Sequence, residues 1–313
     1  MRVLWSLFLA AAVLFGLEPV RKIPLQGNVI DLIAQEGVLL AGGDAGVVQW
    51  FKTGETKPFK TLKLDPIETA FGPQPPKIYS VDRDAKGRVL LIVQGSGNEG
   101  RVLYLYENDQ LKMLIAPSQN RLLRKARFVS EDKIFVMEVG GIALLLDRDQ
   151  KEPLYQKSIM GSSFNDFALN GEKSQAAIAG ESGEVLIFDV LNGKTLKRIR
   201  GNKDNVYRVD WRKNFVITAG QDRLAFLSNV SSGEQKSYET PFLITTAALS
   251  PTADRLAYVL DESGEIGVFD RGSEVLLARL KGHFAMVGTV IFLDENHLIT
   301  GGDDNFLLEW RIP

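Results

Sequence analysis

Three observations predict an all-β fold, a single seven-bladed β-propeller over residues 18–313. A hairpin pattern recurs seven times, the copies are spaced by about 40 residues, and no stretch carries the apolar period of a helix. At 313 residues and 45% apolar, the chain is long enough to bury the core of one large β domain.

The copies begin at Leu39, Leu90, Ile134, Ala176, Val216, Leu256 and Leu298. Each is a short β-rich run, a tight Gly/Asp/Glu turn and a second run ending near an aromatic or leucine, as in "LLAGGDAGVVQWFKTG". The position near the end of the second run falls at Trp50, Tyr106, Leu146, Phe188, Ser228, Phe269 and Trp310, with intervals of 56, 40, 42, 40, 41 and 41 residues. That period suits four strands per unit around a ring. Further strand-like runs such as "TLKRIRG" (195–201) and "VYRVDW" (206–211) fill the intervals.

The chain ends on "FLLEWRI", whose free edge would attract other chains if left uncovered. The segment "PVRKIPLQ" (19–26) reads as an isolated outermost strand. Pairing it with the C-terminal strand completes the seventh blade, covers that edge and predicts a closed, monomeric ring.

The last unit, "GHFAMVGTVIFLDENHLITGGDDNFLLEW", resembles the WD-repeat family. His283, Thr300, Asp304 and Trp310 stand at that family's four blade-locking positions, and the resemblance implies a hydrogen-bonded chain from Trp through Thr and His to Asp. The fifth unit keeps Thr218 and Asp222 but has Ser228 and Asn202, and the first keeps Asp44 and Trp50 but has Asn28 and Ala41. Apolar packing is therefore expected to hold most blades.

The N-terminal stretch "MRVLWSLFLAAAVLFGLEPVRK" places Arg2 before an apolar run from Val3 to Leu17. It is short for a membrane span and suits the core of a secretory signal, assigned to residues 1–17. The expected localisation is periplasmic, with no membrane span once the signal is removed. Retention of the segment as an anchor, or its burial as an N-terminal element, stays open. A chain with no cysteine cannot form disulfides, bind c-type haem through the usual motif or carry a lipid on an N-terminal Cys.

The sequence nominates no catalytic, cofactor-binding or metal-ligating residue. It has two histidines. His283 is explained by the blade lock, and His297 is expected at an exposed strand start. No Ser/His/Asp set can be assembled. "GSGNEG" (95–100) lies between two strands and reads as a loose turn in preference to a phosphate cradle. The acidic turns at Asp303–Asn305, Asp261–Glu262 and Glu181 lack the alternating oxygen pattern of a calcium loop. A net charge of −2 gives no electrostatic footprint for nucleic acid.

Two departures from the repeat are candidate partner-binding features. "LDPIETAFGPQPPK" (64–77) is surplus to the repeat, and its prolines, Pro66, Pro73, Pro75 and Pro76, predict a stiff, partly polyproline II excursion without regular strand. Phe71 within it is a candidate docking handle, the alternative being that it packs over its own blade. "NRLLRKARF" (120–128) clusters Arg121, Arg124, Lys125 and Arg127. With an inner strand starting at Leu122, alternation sends part of this charge into the channel, where it could meet an anion or an acidic partner segment; the alternative is solvated charge.

The favoured function is a non-catalytic exported scaffold that binds another protein, without a cofactor. The competing reading is a lactonase-like propeller hydrolase working through channel carboxylates and a metal. The whole layout is similar to the periplasmic WD-repeat accessory proteins associated with bacterial periplasmic nitrate reductase, a resemblance that implies a helper in assembling or coupling a redox enzyme without carrying electrons.

Overall fold

The computed structural model describes residues 16–150 and 152–313. All of the assigned signal segment except Gly16 and Leu17 lies outside the described residues. Seven four-stranded antiparallel sheets form seven blades, with strands named a to d from the axis outward. Blade 1 comprises Val29–Gln35, Val38–Gly43, Val47–Lys52 and Lys60–Lys63. Blades 2 to 6 span 78–115, 123–158, 164–200, 206–239 and 247–280.

Blade 7 is built from both ends of the described chain. Its strands are Val287–Asp294, His297–Gly302, Phe306–Arg311 and, outermost, Arg21–Pro24. The closing register pairs Arg21 with Glu309, Lys22 with Leu308, Ile23 with Leu307 and Pro24 with Phe306. The expected seven-bladed ring and its closure are both present.

Apolar faces of consecutive blades form the core. Phe135 of blade 3 meets Phe167 of blade 4 edge-on at 5.0 Å and stacks with Phe188 at 5.9 Å. Each such fully buried side chain contributes roughly 1.5–3 kcal/mol by leaving water. Close backbone approach fixes one glycine position in the repeat. At Gly43, Gly180 and Gly302, which end strand b, a Cβ would lie 2.0–2.2 Å from the carbonyl oxygen of Asn28, Ser163 or Met286 at the entry to strand a.

Six of the seven strands a carry a register shift near their start, at Val29/Asp31, Ile78/Ser80, Leu123/Lys125, Phe164/Asp166, Val206/Arg208 and Val287/Thr289. Each shift is a β-bulge, which adds one residue and re-aims its neighbours toward the axis.

Three local expectations are corrected. The 64–77 excursion contains a two-stranded hairpin, Ile67–Thr69 with Gly72–Gln74. Pro73 is tolerated there because the amide of its partner, Glu68, points away from the ladder to Ser96 Oγ, so Pro73 sits where no ladder donor is required. His297 is buried, because strand b lies between strands a and c of blade 7 and its imidazole meets the buried Glu309 of strand c. The inner strand of blade 3 starts at Leu123, leaving Leu122 exposed in the connection before it.

Candidate interaction surface and central channel

Antiparallel order places the d–a connections and b–c turns on one face of the ring and the a–b and c–d turns on the other. Among the described residues, the d–a face carries the two most exposed large apolar side chains, Phe71 at 92% and Phe284 at 71%. Leu122 and Phe242, in other d–a connections, and Met286, in the same connection as Phe284, are also exposed. On the opposite face the exposed Phe59, Leu154, Leu191 and Val275 sit singly on c–d turns.

Phe71 does not pack over its own blade; it stands at the tip of the hairpin. Thr69 Oγ1 accepts the Phe71 N–H and donates to the Gly72 carbonyl. The hairpin is anchored to blade 2, where Glu68 exchanges bonds with Ser96 and with the Gly97 amide at 2.7 Å. Pro75 and Pro76 lie against the b–c turn of blade 1 at Gly46. Pro66, Phe71, Pro73 and Pro75 thus belong to one braced projection. Phe284 is held from beneath by Phe306, edge-on at 6.2 Å, with Lys22 Nζ 3.6 Å from the Phe306 ring centre.

Inside the ring, a strand a has no neighbour on its axial edge, so its amides there need partners. Carboxylates of the preceding blade supply them. Asp31 accepts from Val81 N at 2.9 Å, Asp82 from Phe128 N at 2.7 Å, Asp166 from Val209 N at 3.0 Å and Asp210 from Leu249 N at 2.9 Å. Ser80 Oγ does the same for Ala126 N at 3.2 Å. Partly buried cations balance these acids: Arg127 forks onto both oxygens of Asp31, and Lys125 reaches Asp166 at 2.5 Å. Burial opposes the charge on Asp31, but Arg127 and then Lys125 outweigh it and hold the carboxyl at about 2. At Asp82 burial wins and raises the pKa, with Arg127 and the Phe128 amide offsetting part of it. Burial likewise lowers Lys125, against the pull of Asp166.

These carboxylates are inter-blade pins, each engaged by an amide of the next blade and Asp31 and Asp166 by a cation as well, which does not favour a reading in which they hold a metal and activate water. Among the described residues, no three His, Cys, Asp or Glu side chains converge as a metal site would require. Below the pins, a cavity of about 710 Å³ opens on the a–b face, with Lys173, Arg212 and Lys213 at its mouth.

The basic cluster is dispersed. Arg121 bonds Glu138 and Gln156 within blade 3, and Lys125 and Arg127 are partly buried pin partners. Only Arg124 faces the channel without an acceptor among the described residues. The pins were not found from the sequence, although their signal is there: an Asp recurs in the strands a, in "VIDLI", "YSVDR", "FNDFA" and "RVDWR".

Blade 7 contains the full lock. Trp310 Nε1–H donates to Thr300 Oγ1 at 2.9 Å, Thr300 contacts His283 Nε2 at 2.7 Å, and His283 Nδ1 meets Asp304 at 2.8 Å. The chain is consistent if Thr300 donates to Nε2 and Nδ1–H donates to Asp304, which requires a neutral imidazole. Burial lowers the His283 pKa accordingly, against the pull of Asp304. Gly282 lets the indole close down, since a Cβ there would lie 3.2 Å from Trp310.

Blade 5 keeps a shortened lock. Asn202 donates to Asp222 at 3.0 Å and accepts from Thr218 at 2.5 Å, so an amide replaces the imidazole. At the Trp position, Ser228 Oγ is buried with no partner among the described residues. Ser228→Ala removes an unsatisfied hydroxyl and is expected to leave stability unchanged or raise it by about 1 kcal/mol. Denaturant unfolding checks this, and a loss beyond about 1 kcal/mol would mean that Ser228 has a partner.

No protein-family model matches the chain. Among curated proteins it is similar to eukaryotic translation initiation factor 3 subunit I of Homo sapiens, 28% identical over 177 residues, covering 51% of this chain and 54% of that protein. The Nematostella vectensis subunit is 27% identical over 157 residues, covering 44% and 49%. Jouberin of Mus musculus is 24% identical over 148 residues, covering 44% of this chain and 14% of that protein. The chain spans about half the length of the initiation-factor subunits it matches. Ring, lock and these likenesses together define a WD-repeat-like seven-bladed β-propeller.

Proposed function

We propose that this propeller is a non-catalytic scaffold that binds another protein through its d–a face. The observation that carries the reading is the exposure of Phe71 and Phe284 on rigid supports on that face. Water-exposed aromatics cost solvation, and aromatics dominate binding hot spots, so two held rigidly outward suit a partner that covers them. The initiation-factor relative bears the name of a subunit, which supports a place within a multi-chain assembly.

The apolar run after Arg2 supports export to the periplasm. With a cysteine-free ring, it favours an accessory role beside an exported redox enzyme such as periplasmic nitrate reductase. Among the described residues, no helix is long and apolar enough to cross a membrane.

The test is affinity capture from the native cell with residues 65–76 replaced by a short Gly/Ser link, alongside a Phe71→Ser, Phe284→Ser double variant. Both are expected to fold and to lose the partner by at least about tenfold, as loss of two hot-spot aromatics predicts. If every partner is retained by both variants, the docking face is wrong. Cell fractionation tests export separately, and a chain found only in the cytoplasm would refute it.

A further inference from the structure

The bulge in the inner strand of blade 3 makes Arg124 the extra residue, between Leu123 and Lys125. Tyr79, Asn165 and Tyr207 hold the matching bulge positions in blades 2, 4 and 5. Arg124 thus stands on the axial strand of its blade, one residue before Lys125, which reaches across to Asp166 of blade 4, and its charge is felt by Arg208, Asp166 and Asp31. Arg208 crosses the axis beside it, donating to the Gly288 carbonyl of blade 7 and the Ile30 carbonyl of blade 1. Arg208 is level with Lys125, one step past the bulge, so Arg124 lies on the d–a side of this crossbar.

Each neighbouring cation is already engaged. Arg101 donates to the Leu123 carbonyl and lies over the Tyr79 ring at 3.6 Å, while Lys125, Arg127 and Arg208 have the acceptors given above. The nearby acids are spent as well, since Asp166 is shared by Lys125 and the Val209 amide, and Asp31 by Arg127 and the Val81 amide. Arg124 has no hydrogen-bond or ion-pair partner among the described residues, and holding a half-buried guanidinium in that state is costly.

We propose that the d–a mouth of the channel is a carboxylate-recognition pocket in which an Asp or Glu side chain of the partner protein docks onto Arg124. This rests on the d–a face being the docking face. A guanidinium fork matches a carboxylate in two parallel bonds. Arg208 and Tyr79 flank the site, and the acids beneath it oppose a more highly charged guest.

The test needs no knowledge of the partner. The full chain, with labelled arginine, is titrated by NMR with a capped glutamate, and the Arg124 Nε–H signal is identified by its loss in Arg124→Gln. The expected result is a saturable shift of that signal. Binding of the same probe should be about tenfold weaker or absent in Arg124→Gln, followed at another channel signal, and intermediate in Arg124→Lys.

The melting temperature of Arg124→Gln should equal or exceed that of the parent, because an unpaired buried charge is removed. No saturable shift, an equal response to capped glutamine, or an equal response to inorganic phosphate or chloride overturns carboxylate recognition. Marked destabilisation in Arg124→Gln also overturns it, by showing that Arg124 has a structural partner. None of these outcomes depends on Phe71 or Phe284, so the docking face stands or falls in its own experiment.

Discussion

Replacing Trp310 by alanine is expected to destabilise the ring by about 4 kcal/mol, the range for emptying a fully buried large aromatic site. Trp310 is 1% exposed and shares its core cluster with the buried Leu280, Leu298, Leu308 and Ile312, so its removal leaves a cavity lined by packed side chains. The polar loss is smaller. Thr300 would lose the indole donor but keep its bond to His283, so Trp310→Phe should cost only about 1–2 kcal/mol. Equilibrium unfolding of both variants by circular dichroism gives the comparison. Equal losses would show that the hydrogen bond, and not the packing, makes this lock strong.

The same lock gives stability a pH dependence with a definite sign. Burial, more than Asp304 can offset, holds His283 neutral, whereas the unfolded chain takes up a proton near pH 6.5. The unfolded state therefore binds more protons just below that pH, and stability should fall as pH drops through it. His283→Asn, which copies the blade 5 arrangement, should remove that part of the slope.

The blade 7 lock was legible because its four residues recur at short, fixed spacing, within 28 residues of one another from His283 to Trp310. Ring closure was legible for a similar reason: an isolated strand at one end and an open edge at the other have one economical solution. The channel was not. Arg127 pairs with Asp31 across 96 residues and Arg208 reaches Ile30 across 178, so no local spacing signals either contact. The basic cluster reads as one patch in sequence, but a bulge separates it in space. Arg121 stays on the blade, Lys125 and Arg127 turn to the pins, and Arg124 alone is left facing the mouth. Prolines misled for a related reason, since they forbid strand only where an amide must donate, and Pro73 lies opposite a residue that asks nothing of it.

Glu309→Ala should be the next most damaging change, at about 3 kcal/mol, because it strips partners from two other side chains at the seam. Glu309 is fully buried in the middle of strand c of blade 7. Arg21 from the closing strand forks onto it with Nε to Oε2 at 2.8 Å and Nη2 to Oε1 at 3.0 Å, and His297 Nε2 meets Oε1 at 2.7 Å. The arginine is partly exposed and can turn to water, so most of the cost falls on the buried imidazole and on the void. A one-residue slip of the closing strand would carry Arg21 away from Glu309 and put it on the other face, so this contact selects the register as well as the closure. Burial tends to raise the Glu309 pKa, but its bonds from Arg21 and His297 prevail and leave it depressed. The seam should thus contribute its full stability above the ordinary glutamate range and lose it as pH falls below about 4.3. A double-mutant cycle of Arg21→Ala with Glu309→Ala isolates the pair, and limited proteolysis reports whether residues before Gly27 are released. A Glu309→Ala loss under about 1 kcal/mol, with those residues still protected, would show that the backbone ladder closes the ring without the ion pair.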